Sequence, residues 1–119
     1  MKIAVAGTGY VGLVTGVCLA HKGHQVTCVD INEEKVAMMS SGESPIYVPG
    51  LPELMKESMA NLRFTIDYRT AYREAEVIFI GVGTPEKSDG SANLAYVYEA
   101  AKQIAQSVER DCVVVLKST

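Results

Sequence analysis

Tryptophan is absent, proline occurs four times and cysteine three times in 119 residues. With ten glycines in no fixed period, this composition excludes a collagen-like or low-complexity chain. Cys18, Cys28 and Cys112 are odd in number and far apart. They offer neither a disulfide framework nor a zinc spacing, and each lies in an apolar stretch, so they read as buried core thiols in a reducing cytoplasm. An excess of positive charge is also lacking: 11 Lys and Arg face 14 Asp and Glu, for a net charge of −3. The basic residues are scattered from Lys2 to Lys117, which leaves no nucleic-acid footprint and no polybasic membrane patch. No uninterrupted apolar run approaches the roughly 18 residues that a membrane span needs. Gly7, Gly9, Gly12, Gly16 and Gly23 break up or flank the apolar N-terminal stretch that would otherwise imitate a secretory signal.

The apolar fraction is 48% and the charged fraction 21%, as in a globular domain. A chain of this length forms one domain around a single core, burying roughly two-thirds of its unfolded surface. It is too short for a complete two-domain enzyme, so residues 1–119 are expected to be one domain of a longer protein.

Hydrophobic period predicts strands alternating with helices. Ile3–Ala6 is a short apolar run ended by Gly7, and Val26–Val29 is a second. Between them Tyr10, Val14, Val17 and Cys18 repeat at helical spacing until Gly23. Asn32 is the expected cap of a helix that turns Val36 and Met39 inward, with Glu33 and Glu34 at the positive end of its dipole. Ser44–Pro52 holds three prolines and a glycine and is a loop, after which Pro52 opens a helix carrying Leu54, Met55 and Met59. Leu62–Ile66 alternates as a half-exposed edge strand does. Asp67 caps a helix with Tyr68, Ala71, Tyr72 and Ala75 on one face. Val77–Ile80 and Cys112–Leu116 are apolar on both faces, and between them Leu94, Val97, Tyr98, Ala101, Ile104, Ala105 and Val108 mark a helix with Asn93 as its expected cap.

Parallel strands need right-handed crossovers, so the expected fold class is α/β, a Rossmann-type doubly wound parallel sheet of order 3-2-1-4-5, truncated before the sixth strand. The fifth strand then forms an edge without a polar face, expected to be exposed or self-paired.

Gly7, Gly9 and Gly12 form a Gly-x-Gly-x-x-Gly pattern directly between the first strand and the first helix, the context in which it carries meaning. Gly7 permits the tight turn, Gly9 lets backbone N–H groups approach a pyrophosphate, and Gly12 lets the helix pack close to the sheet. Gly16 lies on the same helical face as Gly12. Asp30 ends the second strand 18 residues after Gly12, where a carboxylate accepts ribose hydroxyls and repels a 2′-phosphate, favouring NAD over NADP. Gly83, Thr84 and Pro85 follow the central fourth strand at the switch point of the sheet, either as a cofactor wall or as an ordinary strand-ending turn. Tyr10 is either a core residue or a wall of the same site. His21 and His24 flank Gly23 at the far end of the first helix and read as solvated. No metal-ligand spacing and no catalytic constellation is visible.

Taken together, Met1–Gly16, Asp30, Ser44–Pro45, Gly83–Pro85, Asp89–Gly90, Tyr96–Val97 and Lys117–Thr119 resemble the nucleotide-sugar 6-dehydrogenases across the whole chain. The resemblance implies NAD-dependent oxidation of a nucleotide-sugar C6 from alcohol to carboxylate in two hydride transfers, through a thiohemiacetal and a thioester on a catalytic Cys. It also implies that the Val11 region meets the pyrophosphate, that Asp30 with Lys35 nearby meets the adenosine ribose, and that Thr84 contacts the cofactor. Thr119 would lie near the nicotinamide and help position a water. The family's nucleophilic Cys, its partners, its UDP-sugar contacts and its oligomer-building helix lie further along the chain, so the 119 residues alone are expected to bind NAD and oxidise nothing. Cys112, in an apolar strand, is not that nucleophile. Two other functions fit the cofactor half: an NAD-sensing regulatory module without catalysis, and the cofactor domain of a hydroxy-acid or hydroxyacyl dehydrogenase.

Overall fold

The computed structural model describes residues 1–117. The elements run β1 (Lys2–Ala6), α1 (Tyr10–His21), β2 (Gln25–Val29), α2 (Glu33–Ser40), α3 (Leu51–Ser58), β3 (Leu62–Thr65), α4 (Tyr68–Arg73), β4 (Val77–Ile80), α5 (Ala95–Ser107) and β5 (Val113–Leu116). All strand pairs are parallel, in the expected order β3-β2-β1-β4-β5. Side chains alternate across the sheet, so each strand feeds two cores. Ile3 and Val5 join Leu13 and Val17 of α1, Met39 of α2 and Met55 of α3 on one face. Ala4 and Ala6 join Tyr72 of α4 and Ala100 and Ile104 of α5 on the other.

The capping residues behave as their chemistry dictates. Asn32 accepts from the Lys35 backbone N–H at 3.1 Å, and Asp67 accepts from that of Thr70 at 3.3 Å. Asn93 sits one residue further out than expected: Leu94 occupies the cap position, while Asn93 Oδ1 accepts from the Ala95 N–H at 3.0 Å.

The inward face of α1 differs from the expected stripe. Gly12, Leu13, Gly16, Val17 and Ala20 are buried, whereas Tyr10 and Cys18 are exposed. Two glycines bring this face so close to the sheet that it displaces the bulkier apolar positions outward. The expectation of three buried thiols fails for two of them: Cys28 is fully buried, whereas Cys18 lies on the outer side of α1 and Cys112, just before β5, is half-buried. Burial pushes the Cys28 thiol up to about 12. On α5, Ala100, Ile104 and Ser107 face the sheet, leaving Leu94, Tyr98, Ala101 and Ala105 exposed. This helix carries apolar residues on two faces, and the domain buries the one that holds Ala100 and Ile104.

A Cβ on Gly16 would meet Cys28 Sγ at 2.6 Å. Gly16→Ala is therefore expected to destabilise the domain by about 1–3 kcal/mol in urea unfolding. Adding Cys28→Ala, which removes the clashing sulfur, should recover part of that loss in a double-mutant cycle. Simple additivity would show that the contact does not limit packing.

β5 forms the edge, with Val113, Val114 and Leu116 exposed by 61%, 47% and 59%. This bears out the expectation of an uncovered apolar edge strand.

Candidate functional site

Two segments meet where the sheet reverses direction on either side of β1. After β1 the backbone turns at Gly7, whose φ of +94° lies in the left-handed region that favours glycine, and α1 begins at Tyr10, directly after Gly9 in the extended conformation. After β4 the chain leaves through Gly81, whose N–H donates to Ala6 O at 2.8 Å. Three glycines fit together at this point. A Cβ on Gly12 would stand 1.9 Å from Gly7 O, and one on Gly81 would stand 3.0 Å from Gly12 Cα. The start of α1 is thereby pressed against the ends of both central strands.

The N-terminus of α1 has no side-chain cap and no acidic residue in its first turn. Its leading amides point out of the helix without intrahelical partners, at the positive end of the dipole. A Cβ built on Gly9 meets nothing within 4 Å, and the same holds for Gly83. Open space therefore lies above the amides, as an anion cradle requires.

Asp30 follows β2, and its side chain is 13% exposed. Its Oδ2 accepts from the Thr8 hydroxyl at 2.5 Å and the Thr8 N–H at 3.2 Å, and its Oδ1 accepts from the Asn32 N–H at 2.9 Å. Because Asn32 also caps α2, the first turn of that helix carries Lys35 back over the acid. Lys35 Nζ lies 3.5 Å from Asp30 Oδ2 and 3.4 Å from Thr8 O. Burial alone would raise the Asp30 pKa, but the hydrogen bonds from Thr8 and Asn32 and the Lys35 charge outweigh it and hold the carboxyl below its usual range.

Gly7, Gly9, Asp30, Lys35 and Gly83 all line one open cleft of about 450 Å³ at the carboxyl ends of β1, β2 and β4. Gly12 lies beneath it, shaping the turn. Tyr10 is 63% exposed, so it is not a core residue, and it stands outside the residues that line the cleft. Val11 is half-buried in the first turn of α1, and Thr84 and Pro85 stand outside the lining. Pro85 O accepts from the Asn93 N–H at 2.7 Å, which ties the segment after β4 to the approach of α5. Thr119 lies outside the described residues. The cleft also takes in Thr8, Ile31, Tyr72, Tyr96, Glu99 and Gln103, which the sequence pattern did not place there. Tyr96, and Thr8 within Met1–Gly16, belonged to the family resemblance, and Ile31 is the neighbour of Asp30; Tyr72, Glu99 and Gln103 arrive through crossovers that local spacing does not show.

His21 pairs with Glu57 at 3.5 Å on the surface, away from the cleft. A larger cleft of about 580 Å³ runs beside α4, lined by residues along β2 and β3 such as Gln25, Thr27 and Arg63. It is not the candidate site, because in open α/β sheets ligands bind beyond the carboxyl ends of the strands at the switch point. Among the described residues no group of three His, Cys, Asp or Glu is placed to hold a metal ion, and no helix is long and apolar enough to cross a membrane.

The cleft fits a dinucleotide: uncapped amides beneath open space for the pyrophosphate, and an ionised carboxylate one strand away for a ribose. Comparison with known proteins agrees. The family model for the UDP-glucose/GDP-mannose dehydrogenase family, NAD binding domain, matches residues 1–119. UDP-glucose 6-dehydrogenase YwqF of Bacillus subtilis is 55% identical over 100% of this chain and 28% of its own length. Among solved structures, a ternary complex of GDP-mannose dehydrogenase from Pseudomonas aeruginosa superposes with a TM-score of 0.95 at 35% identity, over 100% of this chain and 28% of that one. A UDP-glucose dehydrogenase from Pyrobaculum islandicum superposes with a TM-score of 0.93 at 38% identity, over 98% and 28%. The chain thus spans little more than a quarter of the length of these relatives. Sequence, sheet order and site geometry agree, and the chain belongs to the UDP-glucose/GDP-mannose dehydrogenase family as its NAD binding domain.

Proposed function

We propose that the cleft at the ends of β1, β2 and β4 holds NAD in a defined orientation, and that the whole protein is a UDP-glucose 6-dehydrogenase. The observation that carries this is the meeting of an uncapped helix N-terminus, an open glycine turn and an ionised acid in one cleft. The backbone N–H groups of Tyr10, Val11 and Gly12 receive the pyrophosphate, which Gly9 allows to come close. Asp30 accepts a ribose hydroxyl, and the hydrogen bonds from Thr8 and Asn32, with the Lys35 charge, keep the acid ionised against its burial. Gly83 forms the opposing wall, with Thr84 and Pro85 continuing it toward the rest of the cofactor. Thr119, by resemblance, stands near the nicotinamide and helps position a water. When bound, NAD accepts the hydride removed from C6 of the sugar. No residue of this chain is assigned a catalytic role; the thiol chemistry belongs to the rest of the protein.

UDP-glucose is favoured as substrate because curated relatives of 46%, 49% and 55% identity are UDP-glucose 6-dehydrogenases. The fold likeness extends equally to a GDP-mannose enzyme, which is consistent with a cofactor domain that does not read the sugar. The resemblance extends to a cytoplasmic homo-oligomer for the full-length protein.

Titration calorimetry on the 119-residue chain is expected to show saturable binding of NAD, with NADP at least about tenfold weaker because the Asp30 carboxylate repels a 2′-phosphate. A folded chain that gives no saturable heat with NAD would overturn the cofactor assignment. For the full-length protein with UDP-glucose, two NADH per sugar are expected. One per sugar, or none, would point to another dehydrogenase or to a regulatory module.

A further inference from the structure

Thr8 occupies a position that the Gly-x-Gly pattern leaves free, yet it is 1% exposed and its hydroxyl has, among the described residues, a single partner, Asp30 Oδ2. Its backbone N–H donates to the same oxygen, and its carbonyl lies within reach of Lys35 Nζ. One residue of the glycine turn therefore touches the acid of β2 through its side chain and its main chain, and the lysine of α2 through its carbonyl. We infer that Thr8 is a positioning residue for cofactor recognition, fixing the Asp30 carboxylate in one orientation so that turn and acid act as one rigid unit.

The inference rests on the assignment of Asp30 to the cofactor ribose. Without the Thr8 hydroxyl, Oδ2 keeps only a 3.2 Å amide contact and a lysine ammonium at 3.5 Å on a flexible, part-exposed side chain. The carboxylate would then be held chiefly at Oδ1, by the Asn32 N–H at 2.9 Å, and its Oδ2 would lose its shortest hydrogen bond. With the hydroxyl in place, three donors crowd Oδ2, whereas Oδ1 receives only the Asn32 N–H. Oδ1 thus keeps capacity to accept from a ligand hydroxyl. The low pKa of Asp30 agrees, since the Thr8 bond opposes the effect of burial. The other titratable groups around the cleft are Lys35 from α2, Tyr72 from α4, and Tyr96 and Glu99 from α5.

Two measurements on the 119-residue chain test this: an NMR titration of the Asp30 carboxyl without ligand, and NAD titration calorimetry across pH. In Thr8→Val, which keeps shape and burial but removes the donor, the Asp30 midpoint is expected to rise. NAD affinity at neutral pH is expected to fall about tenfold, as for loss of a hydrogen bond to a charged group. Asp30 binds as the ionised form, so wild-type affinity persists until the pH falls through its lowered midpoint; in the variant the loss should begin at higher pH. Thr8→Ser, which restores the hydroxyl, should return both quantities toward wild type. If Thr8→Val does not fold, Thr8→Ala removes the same donor with less bulk and is read in the same way. An Asp30 midpoint that stays put in a folded variant overturns the role of Thr8 and leaves the Asp30 assignment standing. A midpoint that moves while NAD affinity does not also overturns the role of Thr8, whereas a wild-type affinity that does not fall as the pH passes through the Asp30 midpoint overturns the Asp30 assignment, and this inference with it.

Discussion

Gly12→Ala is expected to cost the domain about 3 kcal/mol or more, lowering its melting temperature by roughly 10–20 °C. The added Cβ would fall 1.9 Å from Gly7 O and 2.9 Å from Gly7 C, so it collides with main chain, not with a side chain that can swing aside. Gly7 cannot yield, because it is held at positive φ and its N–H is bonded to Val29 O at 2.8 Å. α1 cannot back away either without opening its contact with Gly81 and the core at Leu13 and Val17. A domain with a total stability of about 5–15 kcal/mol loses a large share of it to this one methyl group. Urea unfolding at constant slope checks the prediction, and a variant as stable as wild type would show that the turn has slack the geometry does not reveal.

Gly9→Val, three residues away, is expected to do the opposite. Gly9 has ordinary extended angles, φ −71° and ψ −167°, and its Cβ would meet nothing within 4 Å. The cost to folding should stay near 1 kcal/mol or below, mostly from placing a β-branched residue at a helix cap. The side chain would nevertheless stand in the space above the α1 amides. NAD binding by calorimetry is accordingly expected to weaken by about a hundredfold or more, since charge-assisted hydrogen bonds to the pyrophosphate need close approach. If Gly9→Val binds NAD as wild type does, the glycine turn is not the pyrophosphate site. Together the two variants separate the glycine that builds the turn from the glycine that leaves it open.

Those two glycines mark how far the sequence alone could be read. Their spacing between a strand and a helix, followed by Asp30 at the end of the next strand, is local information, and it pointed to the cleft; the sheet order came from the apolar patterns of the strands and the hand of their crossovers. The faces of α1 and α5 were less legible. Periodicity treats glycine as a gap, although on α1 Gly12 and Gly16 are the closest-packed positions. On α5 the exposed residues Leu94, Tyr98, Ala101 and Ala105 have the same spacing as a buried stripe. The far wall of the cleft was not legible at all. Tyr72, Glu99 and Gln103 lie about 60 to 95 residues from the glycine turn and reach it only because the chain crosses to the other side of β1. Thr8 was hidden for a different reason: its importance lies in its partner 22 residues away, which no local rule links to a free position in a motif.

The strand order also sets a timetable for biosynthesis. β1 is the first of the five strands to be synthesised and the central strand of the sheet, with β2 on one side and β4 on the other. β2 follows it closely, but β4 begins only at Val77, some fifty residues after β2 begins at Gln25. At about 5–20 residues per second, the open side of β1 waits roughly 3–10 s for its partner. During that interval Ile3–Ala6 presents unpaired backbone on an apolar strand, the arrangement most prone to pairing with a neighbouring nascent chain. The feature that creates a binding crevice beside β1 in the folded domain is thus also the point at which the growing chain most needs protection.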